Sequence, residues 1–533
     1  MKRRLSEFLT PQIAAGAGVI ELPGDADPLI ASLEYDSRKA GPYALFFALT
    51  GLHTDGHKYI NDAVSKGAAA VVHEAEILEK KPGIAYIRVR NSRFAMSPLA
   101  AAFYNYPSRR LLVAGVTGTE GKSTCVYLIW QFLRLAGKKA GFFSTVQYSD
   151  GSGGVADAQW NKEHQTTPEA VEVQRHLWEM AENGCEYAVA ESSSHGLSPR
   201  TNRLGDVEFD AALFTNVTHE HLEFHGTWEQ YRDDKANLFR ALDRAVPKFP
   251  SSPEPFGVIN ADDPSADYFS NATRQKKLSF SVKGKDASLT IKAIESGATG
   301  NRYTVTVGDE KADIEITDNL PGAFNAGNVL ASLLVVSGLT KIPVRELAPL
   351  CPKLLPVRGR MTSVDNGQKF EVLVDYAHTP SSFQAIFPPL RKRLDNSGSP
   401  QRRIISVFGS AGERDTQKRA EQGKIAAGYS DIIVLTDEDP RGEVPVDILN
   451  EIAAGVYDEA PALFKQGQNL FLIPDRPAAI RKAFSLALEG DIVLLLGKGH
   501  ENSIIYKDRT MRYDEIGEAE KALEQIMLRP RSQ

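Results

Sequence analysis

The chain has 533 residues, of which 42% are hydrophobic and 24% are charged, and its formal net charge is -6 at pH 7. This length exceeds what one hydrophobic core usually holds, so we expect about three to four domains. The ordinary composition excludes a fibrous or disordered protein, and scattered Lys and Arg give no electrostatic footprint for nucleic acid or a membrane surface. We therefore expect small-molecule partners.

The N-terminus and the cysteines bear on the compartment. Glu7, Pro11 and Gln12 interrupt what would be the apolar core of a signal peptide, and no window approaches the ~20 apolar residues that cross a bilayer. The three cysteines are far apart and have no metal-ligand spacing, which argues against a disulfide framework. A cytoplasmic protein without membrane insertion is the prediction.

The first part of the chain, residues 1–107, is predicted to be a small α/β domain. YALFFAL (43–49) and AAAVVHEA (68–75) are typical of buried strands, and DGHKYINDAVSKG (55–67) between them predicts a helix. A boundary is expected near Tyr106–Ser108, and a second one near Leu355–Pro356. The predicted domains are therefore 1–107, 108–355 and 356–533.

The second domain opens with the strand before GVTGTEGKSTCVY (115–127), followed by CEYAVAESSSHG (185–196) and FDAALFTNVTHEH (209–221). Apolar strands that end in polar clusters indicate a parallel α/β sheet. From Lys276 to Asp318 the residues alternate, as in RYTVTV (302–307), which predicts an antiparallel ribbon on the flank of the domain. NAGNVLASLLVVSGL (325–339) then predicts a helix.

The third domain alternates strands and helices again. Its predicted strands are RRIISVFG (402–409), DIIVLTD (431–437), LFLIP (470–474) and DIVLLLGKG (491–499). Three of these strands end in charged motifs, namely VFGSAGERD, VLTDEDPRGE and LLLGKGHE. The carboxyl ends of parallel strands meet at one edge of a sheet, so these motifs are expected to converge on one crevice.

The stretch at 115–127 predicts a phosphate-binding loop between a strand and a helix. It departs from the standard Walker pattern at Val116, where glycine is required, but Lys122 and Ser123 keep the Gly-Lys-Ser order. Backbone amides and Lys122 would hold the β and γ phosphates, and the Ser123 hydroxyl would bind Mg2+. The predicted loop residues are Thr117, Gly118, Thr119, Glu120, Gly121, Lys122 and Ser123. The alternative is a glycine-rich turn that only links a strand to a helix.

Neighbouring strand ends narrow the choice of chemistry. The guanine motif N-K-x-D is absent, since the closest string is NKEH (161–164), so ATP is favoured over GTP. Glu191 ends one strand and His221 follows another, where parallel strands deliver side chains to the edge that carries the phosphate loop. These two residues are predicted to complete a metal site.

Motifs spread along the whole chain give it a family resemblance. They are DSRKAGPYALFFALTGLHTDG (36–56), GVTGTEGKST (115–124), TTPEA (166–170), ESSSHGL (191–197), FTNVTHEHLEFHGTWEQYRDDKANLF (214–239), NADD (260–263), PGAFNAGN (321–328), GRM (359–361), VDYAHTP (374–380), GERDTQKR (412–419) and GKGHE (497–501). With these motifs in this order, the chain resembles the Mur ligases.

The resemblance implies a three-domain α/β architecture, with a central P-loop parallel-sheet ATPase domain and a Rossmann-like C-terminal domain. It also implies a reaction of peptidoglycan biosynthesis. The D-glutamate carboxylate of UDP-MurNAc-L-Ala-D-Glu attacks the γ-phosphate of ATP, and the amino group of a diamino acid then displaces phosphate from the acyl phosphate. The implied partners are these two small-molecule substrates, with ATP and two Mg2+ ions as cofactors, and we expect a monomer.

Catalytic roles are carried over from the family to Lys122, Glu191, His221 and Lys235. Ser123 and Glu191 would hold one Mg2+, while His221, Glu191 and Lys235 would surround the second. The lysine in this position of the family carries a carbamate, which inverts its charge and makes it a metal ligand. Lys235, in YRDDKANLF, matches that string, although a plain surface lysine is the alternative.

Substrate contacts transfer in the same way. The resemblance assigns the adenosine side of the ATP site to Asn325, Asn328, Arg360 and Asp375. It assigns the UDP-MurNAc-dipeptide to Ser37, Arg38, Thr166, Thr167, Ser193 and Arg203. The stretch after His195 is about two residues longer than the usual pattern, so Arg203 is assigned where Arg200 is the alternative, and Gln165 stands where asparagine is common.

The incoming amino acid is assigned to Arg414, Glu438, Asp439, Pro440, Arg441, Gly497 and Glu501. Family members that add meso-diaminopimelate commonly contain D-N-P-R, where this chain has E-D-P-R (438–441). Arg441 suits a distal carboxylate, whereas Asp439 would attract an ammonium group, as lysine or ornithine presents. The choice among meso-diaminopimelate, L-lysine and ornithine stays open, and an acidic turn without a substrate role is the alternative.

Three other functions are compatible with parts of this pattern. Folylpolyglutamate synthase shares the unusual phosphate loop, but it lacks the DSR, DPR and GKGHE motifs. A small-molecule kinase or ATPase would transfer phosphate to a stable acceptor or to water. A catalytically inactive nucleotide-binding scaffold is disfavoured because Lys122, Glu191 and Lys235 are all present.

Overall fold

A computed structural model describes residues 1–51, 54–154, 159–160, 166–218, 222–296, 300–395 and 402–527. Contacts divide the chain into two compact units. The first unit comprises Met1–Ala293, Tyr303–Ile316 and Gly327–Leu354, and the second comprises Ile294–Arg302, Thr317–Ala326 and Leu355–Gln533. The three domain ranges given above stay predictions.

The N-terminal part of the first unit is a small α/β layer. Its strands are β1 (Arg3–Arg4), β2 (Val19–Glu21), β3 (Leu29–Ile30), β4 (Ser32–Glu34), β5 (Ala44–Phe47), β6 (Ala70–His73) and β7 (Ala85–Val89). Its helices are α1 (Leu5–Phe8), α2 (Pro11–Gly16), α3 (Ile60–Ser65) and α4 (Ser92–Phe103). Strands β4 to β7 are parallel in the sheet order β2-β7-β6-β5-β4, and β1 pairs with β3. The predicted strands at 43–49 and 68–75 are confirmed, and the predicted helix begins with a 3-10 turn, Gly56–Tyr59, before α3.

The chain from Leu112 to Asp318 forms a long sheet, most of which belongs to the first unit. Its strands are β8 (Leu112–Thr117), β9 (Ala140–Phe143), β10 (Gln147–Ser149), β11 (Gln159–Trp160), β12 (Tyr187–Glu191), β13 (Ala211–Phe214), β14 (Phe256–Asn260), β15 (Lys276–Ser281), β16 (Leu289–Ser296), β17 (Asn301–Val307) and β18 (Ala312–Asp318). Its helices are α5 (Lys122–Leu135), α6 (Ala170–Glu182), α7 (Ser194–Leu197), α8 (Leu222–His225), α9 (Trp228–Leu242), α10 (Ala266–Asn271), α11 (Phe324–Thr340) and α12 (Val344–Leu347).

Strand β8 lies in the middle of that sheet. The order is β11-β10-β9-β12-β8-β13-β14-β15-β16-β17-β18, and β8 pairs in parallel with β12 on one side and β13 on the other. Every residue of β8 is buried, as expected for a central parallel strand that helices cover on both faces. Helices α6 and α9 pack on one face, where Val173 and Leu238 join the same core as Val113.

One sequence prediction about this sheet is wrong in part. Residues from Lys276 onward were expected to form an antiparallel ribbon, but β15 pairs in parallel with both β14 and β16. The alternation of β17, whose burial follows the predicted period of two, was read correctly. Alternation shows which face of a strand is buried, and it does not determine the direction of the neighbouring strand.

The larger part of the second unit is a doubly wound layer. Its strands are β19 (Thr362–Ser363), β20 (Glu371–Asp375), β21 (Ile404–Phe408), β22 (Ile432–Leu435), β23 (Leu470–Leu472), β24 (Ile492–Leu496), β25 (Ser503–Ile505) and β26 (Thr510–Arg512). Its helices are α13 (Pro380–Asp395), α14 (Gln417–Tyr429), α15 (Pro445–Glu459), α16 (Arg476–Leu486) and α17 (Glu515–Met527). The sheet order is β19-β20-β24-β21-β22-β23, parallel from β20 to β23.

Two apolar cores cover the faces of this second sheet. Helices α13, α14 and α15 pack on one face, and α16 and α17 pack on the other. The four strands predicted from the sequence in this region are confirmed. In the described part of the chain no single helix has the length and apolarity needed to cross a membrane; one sharply bent pair, Phe324–Thr340 with Val344–Lys353, meets that test only when both helices are combined.

Candidate active site

The predicted phosphate loop follows β8 and is fastened to the end of β13. Gly118 and Gly121 have φ of 150° and 80°, in the region that favours glycine. A Cβ on Gly118 would lie 1.9 Å from Thr215 Oγ1, so the loop needs glycine for close approach. The backbone amides of Thr119 and Glu120 donate to Asn216 O and Oδ1 at 2.8 and 2.9 Å.

Lys122 and Ser123 open helix α5 directly after Gly121. The Lys122 ammonium donates to the loop carbonyl of Thr119 at 2.7 Å, so its charge lies over the loop. The Ser123 hydroxyl is 2.9 Å from each carboxylate oxygen of Glu191, and both residues are buried. Thr145 adds a backbone amide at 2.8 Å and a hydroxyl at 3.0 Å to the same carboxylate.

These donors and acceptors fit a magnesium ion in part. A hydroxyl and a carboxylate that converge beside a phosphate loop are oxygen ligands of the kind Mg2+ prefers. Across the described ranges no group of at least three His, Cys, Asp or Glu side chains has metal-binding geometry. His221, predicted as a further ligand, lies outside the described residues.

Lys235 is a buried residue on helix α9, and the alternative of a surface lysine is wrong. Its Nζ donates to Gly118 O in the phosphate loop at 2.6 Å and lies 4.3 Å from the centre of the Tyr231 ring. The Tyr231 hydroxyl is 3.2 Å from Thr119 Oγ1, which also accepts from the amide of Thr218. Helix α9 is thus joined to the loop by side chains one turn apart.

The residues expected to contact the muramoyl peptide adjoin Glu191 through its backbone. Thr167 Oγ1 donates to Glu191 O at 2.9 Å and accepts from the amide of Ser193 at the same distance. Arg203 donates to Thr167 O at 2.8 Å, whereas Arg200 donates to Phe224 O at 3.0 Å. The structure therefore brings Arg203, and not Arg200, to the paired threonines, and Thr166 is half-buried beside Thr167.

An arginine that the sequence did not point to reaches the same place. Arg93 of α4 and Arg203 both donate to Glu169 Oε1, at 2.6 and 2.9 Å. Two cations share one carboxylate there, which leaves a positive excess suited to an anionic substrate.

The remaining predicted contacts of the first unit are spread more widely. Ser37 is buried, and its carbonyl accepts from Lys66 at 3.0 Å. Arg38 is exposed and pairs with Asp36 at 2.7 Å. Asn328 lies at the phosphate loop, because its Oδ1 is 2.8 Å from the position of a Cβ on Gly121.

In the second unit, Asp375 and Arg360 are neighbours at the end of β20. Asp375 accepts from the amides of Met361 and Ala377, each at 2.7 Å, and burial raises its pKa, which Arg360 opposes. The Arg360 guanidinium lies 4.8 Å from the centre of the Tyr376 ring. Asn325, also in this unit, donates to Pro321 O at 2.7 Å.

The charged strand ends after β22 and β24 meet, as the parallel order predicts. Lys498 is buried and donates to Asp439 Oδ1 at 2.9 Å and to Glu501 Oε2. Although burial disfavours its charge, Glu501 and Asp439 raise the pKa of Lys498. Asp439 Oδ1 also accepts from the amide of Ile505 at 3.0 Å, so its carboxylate is already compensated.

Glu438 and Arg441 flank that pair. Burial raises the pKa of Glu438 to about 7, against the opposing effects of Lys418 and Lys498. A Cβ on Gly497 would lie 2.9 Å from Glu438 Oε2, so glycine leaves this carboxylate its space. Arg441 has φ of 55°, and its amide donates to Ile505 O at 2.9 Å. Pro440 is buried between Asp439 and Arg441, and Arg414 is exposed.

Several residues of these sites were missed by the sequence predictions. Thr145, Asn216, Tyr231 and Lys498 each bind a predicted site residue, at the distances given above. Three of them lie within or directly beside quoted motifs, so their proximity in the chain was a usable signal. Thr145 follows β9, and only the sheet order places that strand next to β12.

Comparison with known proteins finds matches along most of the chain. Three domain models match: Mur ligase family, catalytic domain, over residues 29–104; Mur ligase middle domain, over 116–336; and Mur ligase, glutamate ligase domain, over 359–499. These ranges contain the phosphate loop, the muramoyl-side residues and, apart from Glu501, the charged strand-end residues described above.

Curated relatives match over nearly full length. UDP-N-acetylmuramyl-tripeptide synthetase of Treponema denticola is 51% identical over 525 residues, which are 95% of this chain and 96% of that protein. UDP-N-acetylmuramoyl-L-alanyl-D-glutamate--2,6-diaminopimelate ligase of Geobacillus kaustophilus is 36% identical over 94% of this chain and 96% of that protein. A solved structure of a ligase with that second name is 26% identical, with a TM-score of 0.60 over 94% of this chain and 96% of its own. Because identity extends along nearly the whole chain and the same domains recur in order, the chain belongs to the Mur ligase family and has its three-domain α/β fold.

Proposed function

We propose that the chain is an ATP-dependent ligase that joins a diamino acid to UDP-MurNAc-L-Ala-D-Glu through an acyl phosphate, in peptidoglycan biosynthesis. One observation carries the proposal. Glu191 accepts from Ser123 of the phosphate loop through its carboxylate, and from Thr167 of the muramoyl-peptide contacts through its carbonyl, each at 2.9 Å. Glu191 therefore links the loop that would bind the nucleotide phosphates to the residues that would bind the acceptor carboxylate.

The first step joins two anions, so it depends on positioning and positive charge more than on acid–base groups. Lys122 and the loop amides hold the phosphates, and Arg203 with Arg93 attracts the acidic dipeptide. A carboxylate oxygen of D-glutamate forms a bond to the γ-phosphorus while the bond to the β-phosphate oxygen breaks, which yields the acyl phosphate and ADP.

Ser123 and Glu191 are proposed to hold one Mg2+ ion. His221 and carbamylated Lys235 are proposed to be ligands of a second Mg2+ ion. Bound there, the ions would neutralise phosphate charge and stabilise the charge that develops on the transferred group. A carbamate on Lys235 needs a position shielded from bulk water but next to the phosphates. Its burial and its bond to Gly118 O support this role.

In the second step, the amine of the diamino acid attacks the acyl carbon. A tetrahedral intermediate forms, the carbon–oxygen bond to phosphate breaks, and the nitrogen loses its proton to leave an amide. Glu438, Arg441 and Glu501 are proposed to hold the amino acid, with Gly497, Pro440 and Arg414 beside them, while Arg360, Asp375, Asn325 and Asn328 serve the nucleotide. Ser37 and Arg38 are proposed to contact the uridine diphosphate.

The pairing of Asp439 bears on which diamino acid is added. Sequence alone left Asp439 as a possible ligand for a distal ammonium, but Lys498 and Ile505 already occupy its Oδ1. We therefore propose that Asp439 orients Lys498 and does not select the substrate. Arg441 remains the group for a distal carboxylate, and the identity of the diamino acid is left to measurement.

The test is phosphate release from ATP, with and without UDP-MurNAc-dipeptide, and with meso-diaminopimelate, lysine or ornithine in turn. We expect release only when the dipeptide and one diamino acid are both present, in equal amounts with tripeptide. Oxygen-18 in the D-glutamate carboxylate should pass into the released phosphate. Release that is indifferent to both substrates, or tripeptide formed without label transfer, would overturn the proposal. A kinase would instead give a stable phosphorylated product.

Two remaining expectations follow from the same proposal. A monomer should be found by light scattering in the presence and absence of substrates. A cytoplasmic location is proposed because the substrates are a nucleotide and a nucleotide-linked precursor, and because Cys125, Cys185 and Cys351 are buried and not joined in disulfides.

A further inference from the structure

A buried hydrogen-bonded chain links helix α7 to helix α9. His225 Nδ1 is 2.8 Å from Asp234 Oδ2, and His225 Nε2 is 3.0 Å from Ser194 Oγ. All three residues are at most 3% exposed. The second oxygen of Asp234 accepts from Gln230 at 3.0 Å, so the carboxylate is held from both sides.

The order Ser, His and acid is that of a hydrolase triad, but this geometry does not support a nucleophile. Ser194 is 2% exposed, so no substrate reaches its hydroxyl. A nucleophilic serine also needs an accessible acyl group beside it. The hydrogen bonds that join Ser194, His225 and Asp234 must therefore serve to position neighbouring residues.

Those neighbours belong to both halves of the proposed site. Ser194 directly follows Ser193, whose amide donates to Thr167 on the muramoyl-peptide side. Asp234 directly precedes Lys235, whose Nζ donates to the phosphate loop. The His225 ring also packs edge-on against Tyr231, with 5.2 Å between ring centres, and Tyr231 reaches Thr119 of the same loop.

We propose that His225 is a positioning residue, which fixes the muramoyl-peptide contacts at the start of α7 relative to the face of α9 that carries Lys235. This inference rests on the proposed function. A second link between these helices, from Asn237 Nδ2 to Leu197 O at 3.1 Å, lies at the last residue of α7. Loss of the His225 link should therefore shift the start of α7 without detaching the helix.

The two ring nitrogens can be tested separately. In His225→Asn the side-chain amide replaces Nδ1 and keeps the bond to Asp234, whereas in His225→Gln it replaces Nε2 and keeps the bond to Ser194. We expect His225→Asn to raise KM for UDP-MurNAc-dipeptide roughly tenfold with a smaller change in kcat, as for the loss of one buried hydrogen bond. We expect His225→Gln to lower kcat by roughly the same factor with a smaller change in KM. Ser194→Ala should behave as His225→Asn does.

Calorimetric binding of UDP-MurNAc-dipeptide supplies a readout that does not depend on turnover. It should weaken in His225→Asn and Ser194→Ala, and it should stay near the wild-type value in His225→Gln and in the matched control Asn237→Ala. Thermal unfolding identifies variants that fail to fold, and Ser194→Ala, the smallest change, keeps the test decisive in that case.

Equal effects of His225→Asn and His225→Gln on KM and kcat, or effects shared by Asn237→Ala, would overturn the positioning role. Wild-type enzyme that forms no tripeptide would instead refute the proposed function, so the two failures are distinguishable.

Discussion

Lys235 is a buried lysine whose ammonium lies at the phosphate loop, 2.6 Å from Gly118 O. As a carbamate, Lys235 would contribute an anion to the metal site. A small carboxylate from solution could then take over that role when the side chain is removed. We expect Lys235→Ala to lose turnover by at least about 1,000-fold, since a metal ligand is removed, and to regain part of it when formate or acetate is added. The measurement is tripeptide formation against carboxylate concentration.

The matched control is Lys248→Ala. Lys248 is also buried in the first unit, but it bonds to Asp210 at 2.6 Å and to the carbonyls of Leu111 and Glu208. Its replacement should cost stability and show no response to short carboxylates. Full activity of Lys235→Ala without any added carboxylate would contradict the carbamate role.

Asp439 supplies a second prediction for a single residue. In Asp439→Asn the amide oxygen can still accept from Lys498 and from Ile505, so only the negative charge is lost. We expect the ranking of meso-diaminopimelate, lysine and ornithine by kcat/KM to stay unchanged, with a stability loss of about 1–2 kcal/mol from the weakened charge-assisted bond. A rank change towards diaminopimelate would show that Asp439 faces the substrate after all.

Glu438 makes the stability depend on pH. Burial raises its pKa from 4.5 to about 7, so between these values the folded protein binds more protons than the unfolded chain. Its contribution to the free energy of unfolding therefore falls as pH rises through that window, by at most about 3 kcal/mol. Asp437, whose pKa burial raises to about 6, adds to the same slope. Glu438→Gln should therefore reduce the difference in unfolding free energy between pH 5 and pH 8, measured by urea unfolding, without abolishing it. The same slope in Glu438→Gln and wild type would refute this cause, and exposed Glu459→Gln is the control.

Single residues were predictable where a motif or a strand end marks them. Glu191 was predicted because it ends a strand beside the phosphate loop, and the structure joins it to Ser123. The pairing of Asp439 with Lys498 was not, although both lie in quoted motifs, because sequence shows charges and not their partners. His225 was not predicted, because Ser194 and Asp234 become its hydrogen-bond partners only after α7, α8 and α9 pack.

At the scale of elements, buried parallel strands were the most predictable. Each is a short apolar run followed by polar residues, so β8, β12 and β13 were predicted as parallel strands, whereas their order in the sheet was not. The direction of β15 was misjudged, because alternation says nothing about strand direction. The 3-10 start at Gly56–Tyr59 was also missed, and Asp55, which accepts from the amide of His57 at 3.0 Å, explains that tight first turn.

A buried ion pair joins the start of helix α17 to the second sheet, in addition to the apolar contacts of that helix. Arg476 donates to Glu515 at 2.6 and 2.8 Å, to the carbonyl of Leu496 at the end of β24, and to the carbonyl of Asp437, two residues after β22. Glu515→Gln leaves a buried guanidinium uncompensated, so we expect a loss of about 3–5 kcal/mol in unfolding free energy.

The matched control for that loss is Glu489→Gln. Glu489 pairs with Lys369 at 2.7 Å, but the side chains are 73% and 60% exposed. This change should cost less than about 1 kcal/mol, as exposed pairs do. Unfolding free energies are measured by chemical denaturation. Equal losses in Glu515→Gln and Glu489→Gln would contradict a stabilising role of the buried ion pair at α17.

For the whole molecule, length and charge predicted a multidomain protein with small-molecule partners. The sequence was divided into three domains, and three domain models match the chain. The proposed substrates are divided between the units. Thr167 and Ser193 belong to the first unit, and Glu438 and Arg441 belong to the second. A substitution in one unit should therefore weaken the binding of one substrate and leave the binding of the other unchanged.

We therefore expect Arg441→Ala to raise KM for the diamino acid about 10- to 100-fold, the range for losing a charge-assisted hydrogen-bonded pair, and to leave KM for ATP and for UDP-MurNAc-dipeptide within about twofold. Thr167→Val should instead raise KM for UDP-MurNAc-dipeptide and leave KM for the diamino acid nearly unchanged, because Thr167 bonds to Glu191 and Ser193 in the first unit. Arg441→Lys is the control for backbone strain, since any side chain at φ of 55° meets the same constraint. It should keep part of the affinity that Arg441→Ala loses. The three KM values are measured for each variant, and a uniform rise of all three in Arg441→Ala would show that this residue supports the fold and not the binding of the amino acid.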